Sequence, residues 1–185
     1  MRYNRIVVGY HGCDLEVAAR ILDGEAFVES TNDYDWLGRG VYFWEYGADR
    51  AYRFAQEQVE RGRVRTPAVL GALIQLGECF DLLDTRFTRD LSEFYGIWEE
   101  QELATGRTLP TNSGKTPDKK MRRLDCAVIN HYLMLAAKKH STYDTVRGCF
   151  IEGEPVFAGS GIYQESHIQI AVRNPASVVG AFKPR

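Results

Sequence analysis

The sequence predicts an α+β domain in which helices separate short strands. Apolar residues recur with helical spacing over residues 48–59 and 124–139, whereas residues 68–76 form an almost continuous apolar run of strand length. Residues 143–182 alternate strand-like runs with turn residues. The chain of 185 residues is 44% hydrophobic, enough to bury the core of one domain spanning residues 1–185.

The first elements are predicted to be a strand, a helix and a second strand. Residues 6–10 are a short β-type run that ends at His11, and Asp14 can cap the helix that follows. Gly24 is placed to end that helix, and residues 27–30 read as another short strand. This arrangement puts an imidazole at a strand end, a common position for a ligand-binding group.

A polar and aromatic loop is expected to form the wall of a pocket. Residues 30–37 are rich in Asn, Asp, Tyr and Trp, and two glycines, Gly38 and Gly40, follow. The glycines allow a sharp bend, and residues 41–44 are all β-branched or aromatic, which predicts that the loop leads into a strand. A helix then follows over residues 48–62.

The middle of the chain combines a central strand, two helices and an insertion. Residues 68–76 are the expected central strand, and helices are predicted over residues 87–103 and 124–139. Between the helices lies a polar and basic insertion at residues 104–123, long enough to act as a lid. Its basic cluster is either a solvated face or a contact for a phosphate-bearing partner, and comprises Lys115, Lys119, Lys120, Arg122 and Arg123.

The C-terminal part is expected to be mostly β. Strands are predicted over residues 143–152, 167–172 and 177–182, with a turn, a further short strand and a glycine-flexed stretch over residues 154–162. A Gly-x-Gly-x-x-Gly turn and a Walker A loop are both absent from the sequence, which argues against a Rossmann fold and a P-loop fold.

Composition narrows the class of partner. The net charge of −2 gives no overall attraction to nucleic acid or to an anionic membrane. No apolar run approaches the roughly 18 residues of a membrane span, and the N-terminus lacks a signal-peptide core, so a cytoplasmic protein without a membrane partner is expected. Four scattered cysteines predict free thiols, and neither a disulfide framework nor a metal site is expected.

Three pieces of the sequence together resemble a known family. They are His11-Gly12, the run Gly38-Arg39-Gly40-Val41-Tyr42-Phe43, and a late polar residue that opens a strand. In this order and spacing they resemble the catalytic core of ADP-ribosyltransferases of the diphtheria-toxin and poly(ADP-ribose) polymerase type. The resemblance covers residues 1–60 and 166–185. It implies a split, twisted pair of antiparallel β-sheets with flanking helices, holding NAD in an extended cleft without a metal.

The resemblance also implies roles for individual residues toward NAD. His11 would hydrogen-bond the adenosine-side ribose, the backbone of Gly12 would hold the nicotinamide carboxamide, and Tyr42 would stack on the nicotinamide ring. These roles suit the residue types, because a neutral imidazole can bind a ribose hydroxyl and an aromatic face suits a cationic pyridinium. Further contacts to NAD are expected from Ser30, Gly40 and Tyr52.

The third catalytic position has two candidates. The family commonly has a Glu at the start of an alternating strand, and Gln169 occupies that position here. Glu165 lies four residues upstream and could serve as a base if the chain bends between them. Because a Gln cannot accept a proton, mono-transfer is expected rather than polymer elongation. Arg50 stands where the family has a carboxamide-binding Ser, and Trp36 and Trp44 are interpreted as packing residues.

The main hypothesis is an NAD-dependent mono-ADP-ribosyltransferase that modifies a macromolecule. The basic cluster slightly favours a nucleic acid acceptor over a protein. Compact size suits a toxin or defence effector, which would have an antitoxin or immunity partner. The first alternative is an inactive module that binds NAD or ADP-ribose, and the second is an enzyme like the RNA 2′-phosphotransferases.

Overall fold

The computed structural model describes residues 2–116 and 119–185 and confirms the α+β class. Met1 and residues 117–118, which belong to the predicted domain and its insertion, lie outside the described residues. The elements, in chain order, are β1 (Arg2–Asp14), α1 (Leu15–Leu22), β2 (Val41–Glu45), α2 (Ala48–Glu60), β3 (Pro67–Asp81), α3 (Thr85–Ala104), β4 (Asn112–Ser113), β5 (Met121–Arg122), α4 (Arg123–Lys138), β6 (Thr145–Phe150), β7 (His167–Val172) and β8 (Val178–Phe182).

The six-stranded sheet consists of two antiparallel sections of three strands. In one section β3 pairs with both β1 and β8, and in the other β7 pairs with both β2 and β6. The sections join where Gly9 and Tyr10 of β1 oppose β2, and where the end of β3 runs parallel to the start of β6. The sequence analysis expected a split pair of antiparallel sheets, whereas the structure joins both sections in one sheet with one parallel pair; the other strand pairs of this sheet are antiparallel, as expected.

Two apolar clusters fix the strands that carry the site. Phe43 of β2 and Ile74 of β3 are fully buried in one cluster. In the other, Phe80 of β3 packs with Phe87 of α3 and Leu133 of α4. Because side chains alternate along a strand, burying Phe43 directs its neighbours to the opposite face of β2. Those neighbours, Tyr42 and Trp44, both line a cavity on that face.

A buried charge network holds the parallel junction. Arg147 of β6 donates to Glu45 at the end of β2 over 2.6 Å and to Asp81 at the end of β3 over 3.1 Å. One guanidinium group on β6 thereby connects the ends of β2 and β3. A buried charge that loses its partners is costly, so each member of this network depends on the others.

Several strand boundaries differ from those predicted. β1 continues to Asp14, so His11 lies inside a strand and not at its end, because β3 extends far enough to pair with it through Pro67. Residues 27–30 are not a strand, since only Ser30 forms a bridge, to Gly40. The short strand expected within residues 154–162 is also absent, since this described segment has turns, bends and one isolated bridge, from Pro155 to Tyr163.

The predicted insertion has a small sheet of its own. β4 pairs with β5, and Asn112 accepts a hydrogen bond from the backbone N–H of Leu124 over 2.9 Å. This bond satisfies an N–H group at the start of α4, so the insertion is attached to the helix it precedes. Among the described residues, no helix is both long enough and apolar enough to cross a lipid bilayer.

Candidate functional site

A cavity of about 430 Å³ lies between the exposed face of β2 and β7, the helix α2 and the aromatic loop. Five residues expected from the sequence line it: His11, Ser30, Gly40, Tyr42 and Gln169. They come from β1, the loop, β2 and β7, so the fold brings together residues that are far apart in the chain. A volume of this size is typical of small-molecule sites.

His11 lines the cavity and uses one of its two ring nitrogens in the fold. Its Nδ1 lies 2.8 Å from the carbonyl oxygen of Tyr42. A carbonyl can only accept, so Nδ1 carries the hydrogen and Nε2 is left as an acceptor. Burial lowers the pKa of His11, although the bond to Tyr42 opposes that shift. The imidazole is therefore neutral at pH 7 and can accept a hydrogen bond from a hydroxyl group.

Tyr42 contributes a ring face, because its hydroxyl is already engaged. The hydroxyl donates to the carbonyl of Gly38 over 2.6 Å and accepts from the N–H of Leu37 over 2.8 Å. Burial raises the pKa of Tyr42 well above its usual value, so the phenol stays protonated. The hydroxyl thus holds the loop in place while the ring lines the cavity.

The two loop residues Ser30 and Gly40 fasten the loop to the sheet. Their backbones exchange hydrogen bonds of 2.8 and 3.1 Å. Gly40 has a φ of +152°, and a Cβ there would lie 2.9 Å from the carbonyl oxygen of Val172. A side chain at position 40 would therefore push β2 away from β7, which explains the glycine in physical terms.

The structure brings Gln169, and not Glu165, to the cavity. Gln169 lies in β7 directly opposite Trp44 of β2 and is buried. Glu165 precedes β7 and binds Arg53 over 2.9 Å, outside the residues that line the cavity. Glu165 lies in a turn before β7, and its side chain is directed toward α2.

Gly12 and Tyr52 do not line the cavity. Tyr52 is 43% exposed and lines a separate groove with α1, because Arg50 and Phe54 occupy the cavity face of α2. Gly12 is covered by α2, since a Cβ there would overlap the carbonyl of Ala51. At about 100° per residue, Tyr52 cannot share a helix face with Arg50.

A buried carboxylate that the sequence analysis did not select also reaches the cavity. Glu152 is 3% exposed and accepts from Arg50 over 2.9 Å. Its other oxygen lies 3.4 Å from Nζ of Lys120. Nothing in the sequence marked Glu152, because a lone Glu after a strand is usually exposed and its partners are remote in the chain.

Trp44 lines the cavity beside Glu152, and His167 is in contact with both without lining the cavity itself. Nδ1 of His167 donates to the carbonyl of Glu165 over 2.7 Å, and the ring lies 6.4 Å from that of Trp44. Burial lowers the pKa of His167, although the bond to Glu165 and the charge of Glu152 oppose that shift. We call Trp44, Arg50, Glu152 and His167 the Glu152 group. Both Trp36 and Trp44 line the cavity, and both also pack against aromatic neighbours.

Asp35 is a further cavity carboxylate that the sequence analysis did not select. Its Oδ1 accepts from the side chain of Asn32 over 3.3 Å, whereas its Oδ2 is buried without a hydrogen-bond partner among the described residues. Burial raises the pKa of Asp35. A carboxylate with a raised pKa in a cavity is a candidate for binding or for proton transfer.

One member of the basic cluster, Lys120, lines the cavity. The indole N–H of Trp36 donates to the carbonyl of Lys120 over 2.9 Å, and the guanidinium of Arg122 lies 4.0 Å from the centre of the Trp36 ring. Arg123 binds Asp33 over 3.1 Å. Lys120, Arg122 and Arg123 therefore bind groups within the chain, so this segment is more than a solvated face. Lys115 and Lys119 are exposed.

Comparison with models of protein families, with curated proteins and with solved structures finds no match for this chain. In the part of the chain that the structure describes, no group of three or more His, Cys, Asp or Glu side chains is placed to hold a metal ion. All four cysteines are free thiols, and Cys149 is the exposed one.

Proposed function

We propose that this protein is an NAD-dependent mono-ADP-ribosyltransferase acting on a macromolecule. The supporting observation is that His11, Tyr42 and Gln169 line one cavity, although they lie on three different strands. The sequence resemblance assigns NAD-binding roles to these three residues. An NAD site of this kind requires that the three residues lie in one cavity.

The transfer of ADP-ribose requires little from the protein beyond the correct orientation of NAD and the acceptor. The bond between the ribose C1′ and the nicotinamide nitrogen breaks, and the electron pair leaves with nicotinamide. The acceptor nucleophile forms a new bond to C1′ and releases its proton to solvent. The cavity must hold the dinucleotide so that the two groups meet, and must exclude competing water.

The residues of the cavity suit this task. Nε2 of His11 can accept a hydrogen bond from a ribose hydroxyl, and the ring of Tyr42 can stack on the nicotinamide. The amide of Gln169 can bind a second ribose hydroxyl but cannot take a proton from an incoming ribose. A single transfer is therefore the expected reaction.

A nucleic acid is the proposed acceptor. Arg61, Arg63 and Lys120 line the cavity, and Lys115 and Lys119 are exposed on the neighbouring insertion. Cations around a cavity favour a phosphate-bearing acceptor, and binding to it should weaken steeply with salt. Salt-independent transfer to a protein would contradict this choice of acceptor. Action as a toxin, restrained by an antitoxin or immunity protein, is part of the same proposal.

A module that binds NAD without chemistry is the second candidate. It is favoured by Gln169, which provides no carboxylate at the third position, and by Glu152, whose charge is neutralised by Arg50 and Lys120. Such a module would bind NAD and leave it intact.

Nicotinamide release separates the two candidates. The purified protein is incubated with NAD alone and with RNA, single-stranded DNA or cell protein, beside His11→Ala and Gln169→Ala. The matched controls are His140→Asn and Gln164→Ala, which change exposed residues. We expect release that depends on one acceptor pool and falls about 100-fold or more in His11→Ala. Binding without release in every condition would favour the module, and a fully active His11→Ala would contradict the proposed site.

A further inference from the structure

The Glu152 group contains hydrogen-bond donors that the fold leaves unused. The indole N–H of Trp44 and the Nε–H of Arg50 are buried without a hydrogen-bond partner among the described residues. The two residues are only 4% and 9% exposed. Buried polar groups without partners are rare in folded proteins, because each loses its bonds to water and gains nothing in return. Both residues line the cavity, so their unused donors lie beside it and indicate a ligand that accepts hydrogen bonds.

The same group contains a strong acceptor. The Glu152 carboxylate binds Arg50 and Lys120, yet a carboxylate has about four acceptor sites and keeps capacity for a ligand. The guanidinium of Arg50 lies 5.6 Å from the centre of the Trp44 ring, so donors and acceptor converge beside an aromatic surface. These features fit a planar ring that carries both an acceptor and a donor.

A primary carboxamide is the substituent that satisfies both requirements. Its oxygen accepts from the donors of Arg50 and Trp44, and its NH₂ group donates to Glu152. A carboxylate substituent has no N–H group to donate to Glu152, so it satisfies only the donors of Arg50 and Trp44. The backbone of Gly12, which the resemblance assigns to this task, pairs with β3 at Val69 and is covered by α2.

We propose that Glu152, Arg50 and Trp44 recognise the carboxamide of the nicotinamide ring and make the cavity select NAD over its nicotinic acid analogue. This inference rests on the proposed function, because it takes NAD to be the ligand. Lys120 positions the carboxylate of Glu152, with Nζ 3.4 Å from one of its oxygens. Lys120 belongs to the insertion, so the insertion contributes to recognition.

Calorimetric titration with three compounds tests the inference without relying on activity. They are NAD, the analogue in which nicotinic acid replaces nicotinamide, and ADP-ribose, which lacks the ring. We expect the wild type to bind NAD about tenfold or more tightly than the acid analogue, the effect of one charge-assisted hydrogen bond. In Glu152→Gln that ratio should fall below about threefold, because the NH₂ group of Gln can donate to the carboxylate of the acid analogue.

Two further variants complete the test. Glu154→Gln changes an exposed carboxylate of the same loop and should keep the wild-type ratio. Arg50→Lys keeps the charge beside Glu152 but removes the Nε donor, so NAD should bind about tenfold more weakly while ADP-ribose binds as before. This variant tests the inference even if Glu152→Gln fails to fold.

The outcomes separate this inference from the proposed function. Equal wild-type affinity for NAD and its acid analogue, or a ratio unchanged in Glu152→Gln, would overturn the carboxamide assignment alone. Failure of the wild type to bind any of the three compounds would overturn the proposed function together with it.

Discussion

Two parts of the cavity differ in how their polar groups are satisfied. Around His11, the hydroxyl of Tyr42 and the backbones of Ser30 and Gly40 all have hydrogen-bond partners within the fold. We call these four residues the His11 group. In the Glu152 group, Trp44 and Arg50 keep buried donors without partners among the described residues.

From this difference we infer that the His11 group builds the cavity and that the Glu152 group binds the ligand. A satisfied polar network makes the fold rigid and unique, whereas an unsatisfied one destabilises the free protein. Changes in the His11 group and its loop should therefore reduce stability most. Changes that remove unused donors should instead increase stability and reduce ligand affinity.

The largest expected effect on stability is from Gly38→Ala, in the loop that Tyr42 holds. Gly38 has a φ of +73°, and a Cβ there would lie 2.6 Å from Oδ1 of Asn130. That oxygen already accepts from the N–H of Arg39 over 3.1 Å, so it is not free to move. We expect the free energy of unfolding to fall by about 3 kcal/mol in urea denaturation.

Gly62→Ala is the matched control for this change. Gly62 has a similar φ of +69°, but no heavy atom lies within 4 Å of the added Cβ. Only backbone strain remains, so a loss of about 1 kcal/mol is expected. Equal losses in the two variants would show that contact with Asn130 does not constrain the loop.

Tyr42→Phe should have the next largest effect. It keeps the ring but removes the hydroxyl that Leu37 and Gly38 both bind, which leaves a buried N–H group without its partner. We expect a loss of about 2 kcal/mol in the free energy of unfolding. Tyr95→Phe, which removes a hydroxyl bound to Glu99 on α3, should cost less, about 0.5 kcal/mol. A Tyr42→Phe protein as stable as the wild type would show that the hydroxyl of Tyr42 does not hold the loop in place.

Gln58→Leu should change stability in the opposite direction. Gln58 lines the cavity two turns along α2 from Arg50, and its Nε2 is buried without a hydrogen-bond partner in the described chain. Replacing this amide with an apolar side chain of similar size should raise the free energy of unfolding by about 1 kcal/mol and weaken NAD binding. Gln56→Leu, at an exposed position of the same helix, should change neither by much. A destabilised Gln58→Leu would mean that the amide supports the fold.

The smallest effect expected is a dependence of stability on pH. Burial lowers the pKa of both His11 and His167, so the unfolded chain binds more protons than the native protein at mildly acidic pH. Stability should be fully present above about pH 6.5 and decrease as the pH falls below it. Asp35, whose pKa is raised by burial, acts in the opposite direction.

Comparison with a double variant isolates the two histidines in this experiment. The free energy of unfolding of the wild type should decrease between about pH 7 and pH 5, and His11→Asn combined with His167→Asn should show a shallower decrease. Identical slopes in the two proteins would contradict the neutral, buried state of these imidazoles.

The sequence predicted the elements with strong local patterns. The helix α2 and the strand β7 were located from periodicity alone, and the two glycines before β2 marked the loop. His11, Tyr42 and Gln169 were found as cavity residues through the motif around them.

The Glu152 group could not be predicted, because its members meet only in the folded chain. Glu152 follows β6, Arg50 lies in α2 and Lys120 belongs to the insertion. A single sequence carries no signal that joins such remote charges. Tyr52 was misplaced for a related reason: the pattern located the helix α2, but not which of its faces meets the cavity.

A crystal structure of the protein with NAD tests the central claim most directly. We expect the dinucleotide to span the cavity, with a ribose hydroxyl on Nε2 of His11, the nicotinamide ring against Tyr42, and the carboxamide between Arg50 and Glu152. NAD bound outside this cavity, or bound within it with the nicotinamide away from both the His11 group and the Glu152 group, would contradict the proposed site.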